Sequence, residues 1–167
     1  MEIWDGYDRN GTPTGTQLVR GQPIPAGVYH LVCRVLVQHT DGSYLLMHRD
    51  PCKQSHPDAW EATAAGSALK GETALACARR ELAEETGITD GRLYSLGRVV
   101  EEKSHYLCER FVCLTDVDKT KIVLQKGETV GYTWLTEEEF RRFVRGGKMI
   151  PNHKKQYSDY FIQKGYL

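Results

Sequence analysis

The sequence predicts one α/β or α+β domain, spanning residues 1–167, in which strands and two or three helices alternate in mixed order. Three observations favour this class. A chain of 167 residues has the usual length of one domain with its own hydrophobic core. The hydrophobic share of 40% and the charged share of 26% are ordinary for a globular protein. Short runs rich in Val and Leu, bounded by turn signals, alternate with segments of helical character.

The N-terminal residues 1–27 are expected to be an extension of this domain. Residues 2–20 predict a short hairpin around Asn10-Gly11, which is a strong turn dipeptide. Residues 21–27 contain two prolines and two glycines and predict a connector that is too short to separate two independent domains. Because the hairpin lies outside the expected core, we expect it to mediate a homodimer.

Two neighbouring strands are predicted next, at Tyr29–His39 and Ser43–Arg49, joined by the hairpin turn Asp41-Gly42. The density of Val and Leu in the first of them is typical of a central strand. A polar loop bounded by prolines follows at residues 50–58. We expect a short strand at Trp60–Ala64 after this loop.

One helix is predicted from near Glu72 to Gly87, because glycine adopts the left-handed conformation that closes a helix. Its apolar residues Leu75, Ala78 and Leu82 form one stripe along the helix. We expect this stripe to be buried.

Three carboxylates lie beside the stripe. Glu81, Glu84 and Glu85 occupy positions i, i+3 and i+4 and therefore share one side of the helix, where they repel each other. Two interpretations remain open from spacing alone. The acids form a solvated charged face, or they bind a divalent cation, and oxygen ligands suit Mg²⁺ or Mn²⁺.

The following segment predicts a pair of strands, Arg92–His105 and Tyr106–Thr115, each with its own apolar content. Residues 116–127 are polar and predict a loop, within which Lys121–Leu124 is a candidate short strand. A further strand is expected at Val130–Leu135, with a tryptophan near its end.

Two helices complete the prediction. Thr136 as N-cap and Glu139 three residues later form a capping-box signature, and the helix is expected to run to Arg145 before two glycines. The last helix is predicted from about Asn152 to Lys164, with aromatic residues on one side.

The stretch from Gly66 to Ile88 resembles the Nudix box, G-x5-E-x7-R-E-U-x-E-E-x-G-U, in which U is a bulky aliphatic residue. Every fixed position of that motif is met in this sequence, by Gly66, Glu72, Arg80, Glu81, Leu82, Glu84, Glu85, Gly87 and Ile88. The resemblance implies the Nudix fold, a mixed β-sheet sandwiched between α-helices, here with an N-terminal β-hairpin extension.

The resemblance also implies an activity: a Mg²⁺-dependent pyrophosphohydrolase that cleaves a nucleoside diphosphate linked to another moiety by water attack on phosphorus. Glu81, Glu84 and Glu85 resemble the family's metal ligands, and the Gly66 carbonyl often joins them. Glu81 is in addition the candidate to orient or deprotonate water. The small-molecule diphosphate is the expected partner.

Three further roles are assigned. Glu72 and Arg80 are expected to form an ion pair that braces the loop before the helix, and Glu128 is the candidate acid outside the motif that acts as base or ligand. Arg49 and Lys53 are the cations expected to hold phosphates. Glu101 and Glu102 compete with Glu128. For all of the residues outside the motif, a plain surface charge is the alternative.

Two other functions are open. The N-terminal WDGYDRNGTPTG and the later YHLV resemble isopentenyl-diphosphate isomerases, but those enzymes have a cysteine where this chain has Ala65, and alanine cannot transfer a proton. A non-catalytic, nucleotide-sensing Nudix domain is the other alternative. Such domains often lose glutamates of the box, and none is lost here.

Charge and cysteine content bound the remaining classes. The chain has 22 basic and 22 acidic residues, so no net charge favours nucleic acid or a membrane surface as a partner. The apolar runs are far shorter than a membrane span, and the acidic N-terminus predicts no signal peptide. Five cysteines without a CxxC pair predict small buried thiols in a reducing compartment, and we expect a cytoplasmic protein.

Overall fold

A computed structural model describes residues 1–167 and confirms the predicted fold class: a mixed seven-stranded sheet lies between helices, and a separate two-stranded hairpin forms at the N-terminus. The strands are β1 (Ile3–Tyr7), β2 (Pro13–Val19), β3 (His30–His39), β4 (Tyr44–Arg49), β5 (Trp60–Glu61), β6 (Thr63–Ser67), β7 (Arg92–Glu101), β8 (Tyr106–Thr115) and β9 (Thr129–Leu135). The helices are α1 (Ala74–Thr86), α2 (Glu137–Arg145), α3 (Pro151–Gln156) and α4 (Ser158–Gln163).

Strand β3 is the centre of the large sheet. It pairs in parallel with β8 along its whole length and antiparallel with β4 and β6, while β9 extends the sheet beside β4. Both faces of β3 are covered, which explains why its sequence is an almost continuous apolar run without polar alternation.

The two faces of β3 bury two separate cores, because successive side chains point to opposite sides of a strand. On one face Val35 and Val37 pack against helix α1 through Ala78 and Leu82. On the other face Leu36 belongs to a core that includes aromatic residues of the C-terminal helices. Helix α1 is therefore held rigidly against one side of the sheet.

The prediction that Leu75 belongs to the buried stripe of α1 is wrong, since its side chain is 45% exposed. In the first turn of the helix, Ala74 packs on the core instead and its carbonyl accepts a hydrogen bond from Cys33 Sγ. Cys77 is buried in the next turn. The prediction of buried thiols is also wrong for Cys52, which lies exposed in the polar loop.

Three predictions of strands differ from the structure. Trp60–Ala64 is not one strand, because the chain leaves β4 after Glu61 and joins β3 from Thr63 onward. Lys121–Leu124 forms no strand, since the Val123 N–H donates to the Thr86 carbonyl at the end of α1. Strand β7 ends at Glu101, and the residues up to His105 form a turn.

The predicted helix from Asn152 to Lys164 is two short helices that meet at Tyr157. The backbone of Tyr157 leaves helical geometry at φ −102° and ψ 12°. Its buried hydroxyl donates to the carbonyls of Arg34 and Phe111, at 2.8 and 3.0 Å. This anchoring to two strands accompanies the break between the helices.

The N-terminal hairpin docks against the loop that precedes α1. The Trp4 ring is buried and stacks on His30 with 4.4 Å between ring centroids. The Lys70 N–H donates to the Ile3 carbonyl at 2.9 Å, and the Gly71 N–H donates to Asp5 Oδ2 at 2.7 Å. The inner face of the hairpin is thus covered by its own chain, and a homodimer through its outer face stays a prediction.

Replacing Trp4 by alanine should release the hairpin without unfolding the domain, because the hairpin forms its own sheet and a buried tryptophan contributes about 3–5 kcal/mol. Amide hydrogen exchange measures this: the Lys70 and Gly71 N–H groups should exchange faster while those of β3 keep their protection. Tyr94→Ala removes an exposed aromatic side chain and serves as the control. Unchanged protection at Lys70 and Gly71 in Trp4→Ala would contradict the docking role.

Candidate active site

Helix α1 positions the three acids predicted from spacing. The helix begins after Thr73, whose side chain accepts a hydrogen bond from the Ala76 N–H, and ends at Gly87 with φ 75°. Because Ala78 and Leu82 are buried against the sheet, the acids of the last two turns lie at the rim of that contact. They point into a cavity beside strand β6.

This main cavity has a volume of about 560 Å³ and is bounded by the open end of the hairpin, strand β6, the last turns of α1 and the loop before β9. All predicted site residues except Glu72 lie in the wall of this cavity. They are Arg49, Lys53, Gly66, Arg80, Glu81, Glu84, Glu85 and Glu128. Six carboxylates and four cationic side chains line it in total, which leaves an excess of two negative charges when every acid is ionised.

Gly66 lies directly against the carboxylate of Glu81. A Cβ atom at Gly66 would come within 2.0 Å of Glu81 Oε1, so a side chain here would displace that carboxylate. Glycine at this position leaves room for the carboxylate next to the backbone of β6.

Arg80 connects the acids of the cavity to the loop before α1. Its Nε and Nη2 donate to Glu72 at 2.9 and 2.8 Å, and Nη2 also donates to the Ser67 carbonyl at 3.1 Å. The ion pair with Glu72 is therefore present, and it braces the loop as predicted. The remaining nitrogen, Nη1, contacts Glu81 at 2.5 Å and Glu84 at 3.4 Å.

Burial dominates the electrostatics of Glu81 and Glu85. Burial raises the pKa of Glu85 well above its ordinary value of 4.5, and the nearby carboxylates of Glu61 and Glu81 add to this effect. Burial also raises the pKa of Glu81, although Arg80 opposes the shift. Glu85 receives one weak hydrogen bond, from the Ala65 N–H at 3.4 Å.

The donor set of the cavity fits a hard divalent cation, because the acids supply oxygen ligands and the wall carries an excess negative charge of two. In this structure no three acidic side chains converge into a complete ligand set. Arg80 contacts two of the three helix acids and supplies part of the positive charge that a cation would supply. A cation bound by Glu81 and Glu84 would therefore compete with Arg80 for these carboxylates.

The two cations predicted to hold phosphates are both in ion pairs inside the cavity. Arg49 pairs with Glu61 and also donates to the carbonyls of Ser55 and His56. Lys53 pairs with Glu128. Their side chains are 17% and 26% exposed, so neither is a freely solvated surface charge.

Of the three acids proposed outside the helix, only Glu128 lines the cavity. Glu102 instead accepts hydrogen bonds from the Tyr29 hydroxyl at 2.6 Å and from Arg9 at 2.7 Å. Glu101 lies 3.9 Å from Lys155. These contacts hold Glu101 and Glu102 away from the cavity.

Sequence reasoning missed three charged residues of the wall. Glu61 is contributed by the two-residue strand β5 and belongs to no motif. Glu2 and Arg20 face each other across the open end of the hairpin at 2.7 Å, and both line the cavity. Their pairing follows from the hairpin, but its docking position depends on contacts that are distant in sequence.

The chain is similar to known proteins along most of its length. A family model described as the NUDIX domain matches residues 28–160. A Nudix hydrolase of Listeria monocytogenes is 34% identical over 155 residues, covering 90% of this chain and 89% of the relative. Nudix hydrolase 3 of Arabidopsis thaliana is 28% identical over 156 residues, which is 86% of this chain but 20% of that protein.

Two solved structures share the fold. A Deinococcus radiodurans protein superimposes with a TM-score of 0.75 at 18% identity, covering 95% of this chain and 98% of that one. The dihydroneopterin triphosphate pyrophosphohydrolase of E. coli superimposes with a TM-score of 0.59 at 20% identity, covering 81% and 98%. None of the helices is both long and apolar enough to cross a membrane.

The raised pKa of Glu85 predicts how the stability of the metal-free protein depends on pH. Above pH 4.5 the folded chain keeps a proton that the unfolded chain releases, so stability falls as pH rises through the folded pKa. Glu85→Gln, which does not titrate, should unfold at a higher temperature than wild type at neutral pH, with the difference shrinking toward pH 4. Thermal unfolding in a chelator measures this, with Glu138→Gln on α2 as the control. Parallel pH profiles for wild type and Glu85→Gln would contradict it.

Proposed function

This chain belongs to the Nudix hydrolase family, which acts on phosphoric anhydride bonds, and we propose that it is a Mg²⁺-dependent pyrophosphohydrolase that cleaves a nucleoside diphosphate linked to another moiety. One observation carries the proposal. The wall of a single cavity contains three acids of the box together with the two phosphate-binding candidates, Arg49 and Lys53. A diphosphate needs both kinds of group around it.

Glu84 and Glu85, together with the Gly66 carbonyl, are the residues proposed to hold the ion, and Glu81 either joins them or orients water. When bound, a divalent ion neutralises diphosphate oxygens and lowers the pKa of attacking water. Mg²⁺ is proposed first and Mn²⁺ second, since both accept oxygen ligands. The hydrogen bonds of Arg80 to Glu72 involve neither Glu81 nor Glu84, so the loop would stay braced while an ion competes for those two acids.

The substrate is proposed to exchange partners with two existing ion pairs. Phosphate oxygens engage Arg49 and Lys53, which are already oriented by Glu61 and Glu128. As Lys53 turns to a phosphate, the Glu128 carboxylate is released from its ion pair and is free to contact water. Glu128 is therefore our candidate for a base outside the box, acting on water that Glu81 orients.

Two observations disfavour the isomerase alternative. Ala65 carries no group that could transfer a proton. The space next to it is lined by Arg34, Glu61 and His153, which are unsuited to the hydrocarbon part of a prenyl diphosphate. A sensor without catalysis is disfavoured because the acids of the box are all retained and three of them, Glu81, Glu84 and Glu85, line one cavity. A cytoplasmic location, and the absence of nucleic-acid and membrane partners, stay predictions.

Turnover tests the proposal directly. Wild-type protein with Mg²⁺ should release phosphate products from one or more nucleoside diphosphate derivatives and not from prenyl diphosphates. Glu85→Gln should lower kcat by about 100-fold or more, because it removes electrostatic stabilisation and a metal ligand. Glu138→Gln, an equivalent change on the exposed face of α2, should retain wild-type turnover.

Two outcomes would contradict the hydrolase proposal. One is no turnover by wild type with any of the nucleoside diphosphate derivatives, and the other is unchanged turnover in Glu85→Gln. Replacing Mg²⁺ by Mn²⁺ in the same assay ranks the two metals. Isomerised prenyl diphosphate without phosphate release would favour the isomerase.

A further inference from the structure

A second cavity, of about 280 Å³, lies beside the main cavity and between strand β3 and helix α3. The two cavities share Arg49, Glu61 and Ala65 in their walls. The second cavity has walls of its own in Arg34 from β3 and His153 from α3. The two cavities are therefore direct neighbours.

Charged residues in the second cavity are deeply buried. Arg34 and Glu61 are each 8% exposed. The Arg34 hydrogen bonds all involve Nη1, which lies 2.6 Å from His153 Nε2, 3.0 Å from the Thr63 hydroxyl and 3.5 Å from Glu61 Oε1. Burying two guanidinium groups and one carboxylate away from water lowers the stability of the fold unless each charge is compensated.

His153 contributes no positive charge. Burial, assisted by the Arg34 and Arg49 guanidiniums, lowers the pKa of His153 to about 2. The neutral ring accepts the hydrogen bond from Arg34 through Nε2, which leaves the proton on Nδ1. Nδ1 is 3.6 Å from Glu61 Oε1. The imidazole therefore orients Arg34 without altering the charge balance.

The positive charge exceeds the negative charge by one. Glu61 is the one carboxylate in the wall, and it is shared between Arg34 and Arg49. The other partners of Arg49 are neutral carbonyls of Ser55 and His56. The buried Arg34 Nε has no acceptor. This wall thus contains one carboxylate for two guanidinium charges, and one buried donor in it has no acceptor.

We propose that the second cavity is an anion subsite, which receives a phosphate or carboxylate that the substrate carries beyond its diphosphate. An anion there would supply the missing negative charge, and guanidinium groups bind such oxygens strongly. The assignment to a substrate rests on the proposed hydrolase function, because that function places the diphosphate in the adjoining main cavity. The anion site itself rests only on the charges and hydrogen bonds of the second cavity.

In the metal-free protein, anion binding in the second cavity can be distinguished from anion binding in the main cavity. Without a cation the main cavity has six carboxylates against four cationic side chains and should repel an anion. Inorganic phosphate added to metal-free protein should therefore bind only in the second cavity. Asn152 lines this cavity and is half-buried, and its amide donates to the Tyr106 hydroxyl at 2.8 Å and not to Arg34. Aspartate at this position adds a charge and can accept a hydrogen bond from the same hydroxyl.

The first experiment titrates inorganic phosphate into the metal-free full chain and follows backbone amides by NMR. Saturable shifts are expected at residues 152–153 and 55–56. Asn152→Asp should weaken binding about tenfold or more, because it places a like charge in the wall. Gln163→Glu makes the same amide-to-acid change on the exposed side of α4 and should leave the affinity unchanged. Equal affinity in Asn152→Asp, or shifts confined to residues 81–85, would overturn the anion site.

The second experiment asks whether the anion belongs to the substrate. Two nucleoside diphosphate derivatives that differ only in a phosphate on the attached moiety are compared in the presence of Mg²⁺. Wild type should favour the phosphorylated compound through a lower KM, and Asn152→Asp should reduce that preference about tenfold or more while sparing the other compound. Equal kcat/KM for both compounds in wild type, despite phosphate binding, would show that the site serves free phosphate and overturn the substrate assignment.

Failure of this proposal is distinguishable from failure of the proposed function. If wild type hydrolyses neither compound, the hydrolase proposal fails, while the phosphate titration still decides the anion site. If Asn152→Asp slows both compounds equally, the residue acts through the fold and the subsite is wrong. Far-ultraviolet circular dichroism and unfolding temperature confirm that both variants are folded.

Discussion

Repulsion among carboxylates is the constraint on which the candidate site depends. Three glutamates end helix α1 on one side, and Glu61, Glu128 and Glu2 face them across the same cavity. The cations of the wall are all used to hold this arrangement: Arg80 contacts the helix acids, Arg49 pairs with Glu61, Lys53 with Glu128, and Arg20 with Glu2. The negative excess that remains is what makes the cavity suited to a divalent ion.

The rest of the fold supplies the energy that keeps these charges together. Each buried aliphatic side chain such as Leu82 stabilises the folded state by about 1.5–3 kcal/mol, and α1 is packed against the centre of a sheet whose opposite face is covered as well. A rigid backing is needed because the unfavourable contacts lie at the rim of the same helix. Gly66 contributes by letting the strand approach Glu81 closely, so the acid is held next to β6.

Local features could be predicted from the sequence, whereas features made by distant segments could not. The box helix and the common side of its acids follow from helical spacing, and the Glu72–Arg80 pair follows from the motif. Arg34 and Ala65 become neighbours only through the register of β3 against β6, which no motif encodes. The break in the last helix coincides with a tyrosine hydroxyl anchored to two strands. In each case the deciding partner lies far away in the chain.

The docked hairpin has a consequence for how this architecture can diversify. It forms a sheet of its own and is attached through a buried tryptophan and a few main-chain contacts, yet its open end carries Glu2 and Arg20 into the main cavity. Substitutions there alter the cavity wall while leaving helix α1 and its acids untouched. Substitutions among the first twenty residues are therefore a route by which related chains acquire new substrates. For the same reason, a peptide tag fused to Met1 would lie beside the site.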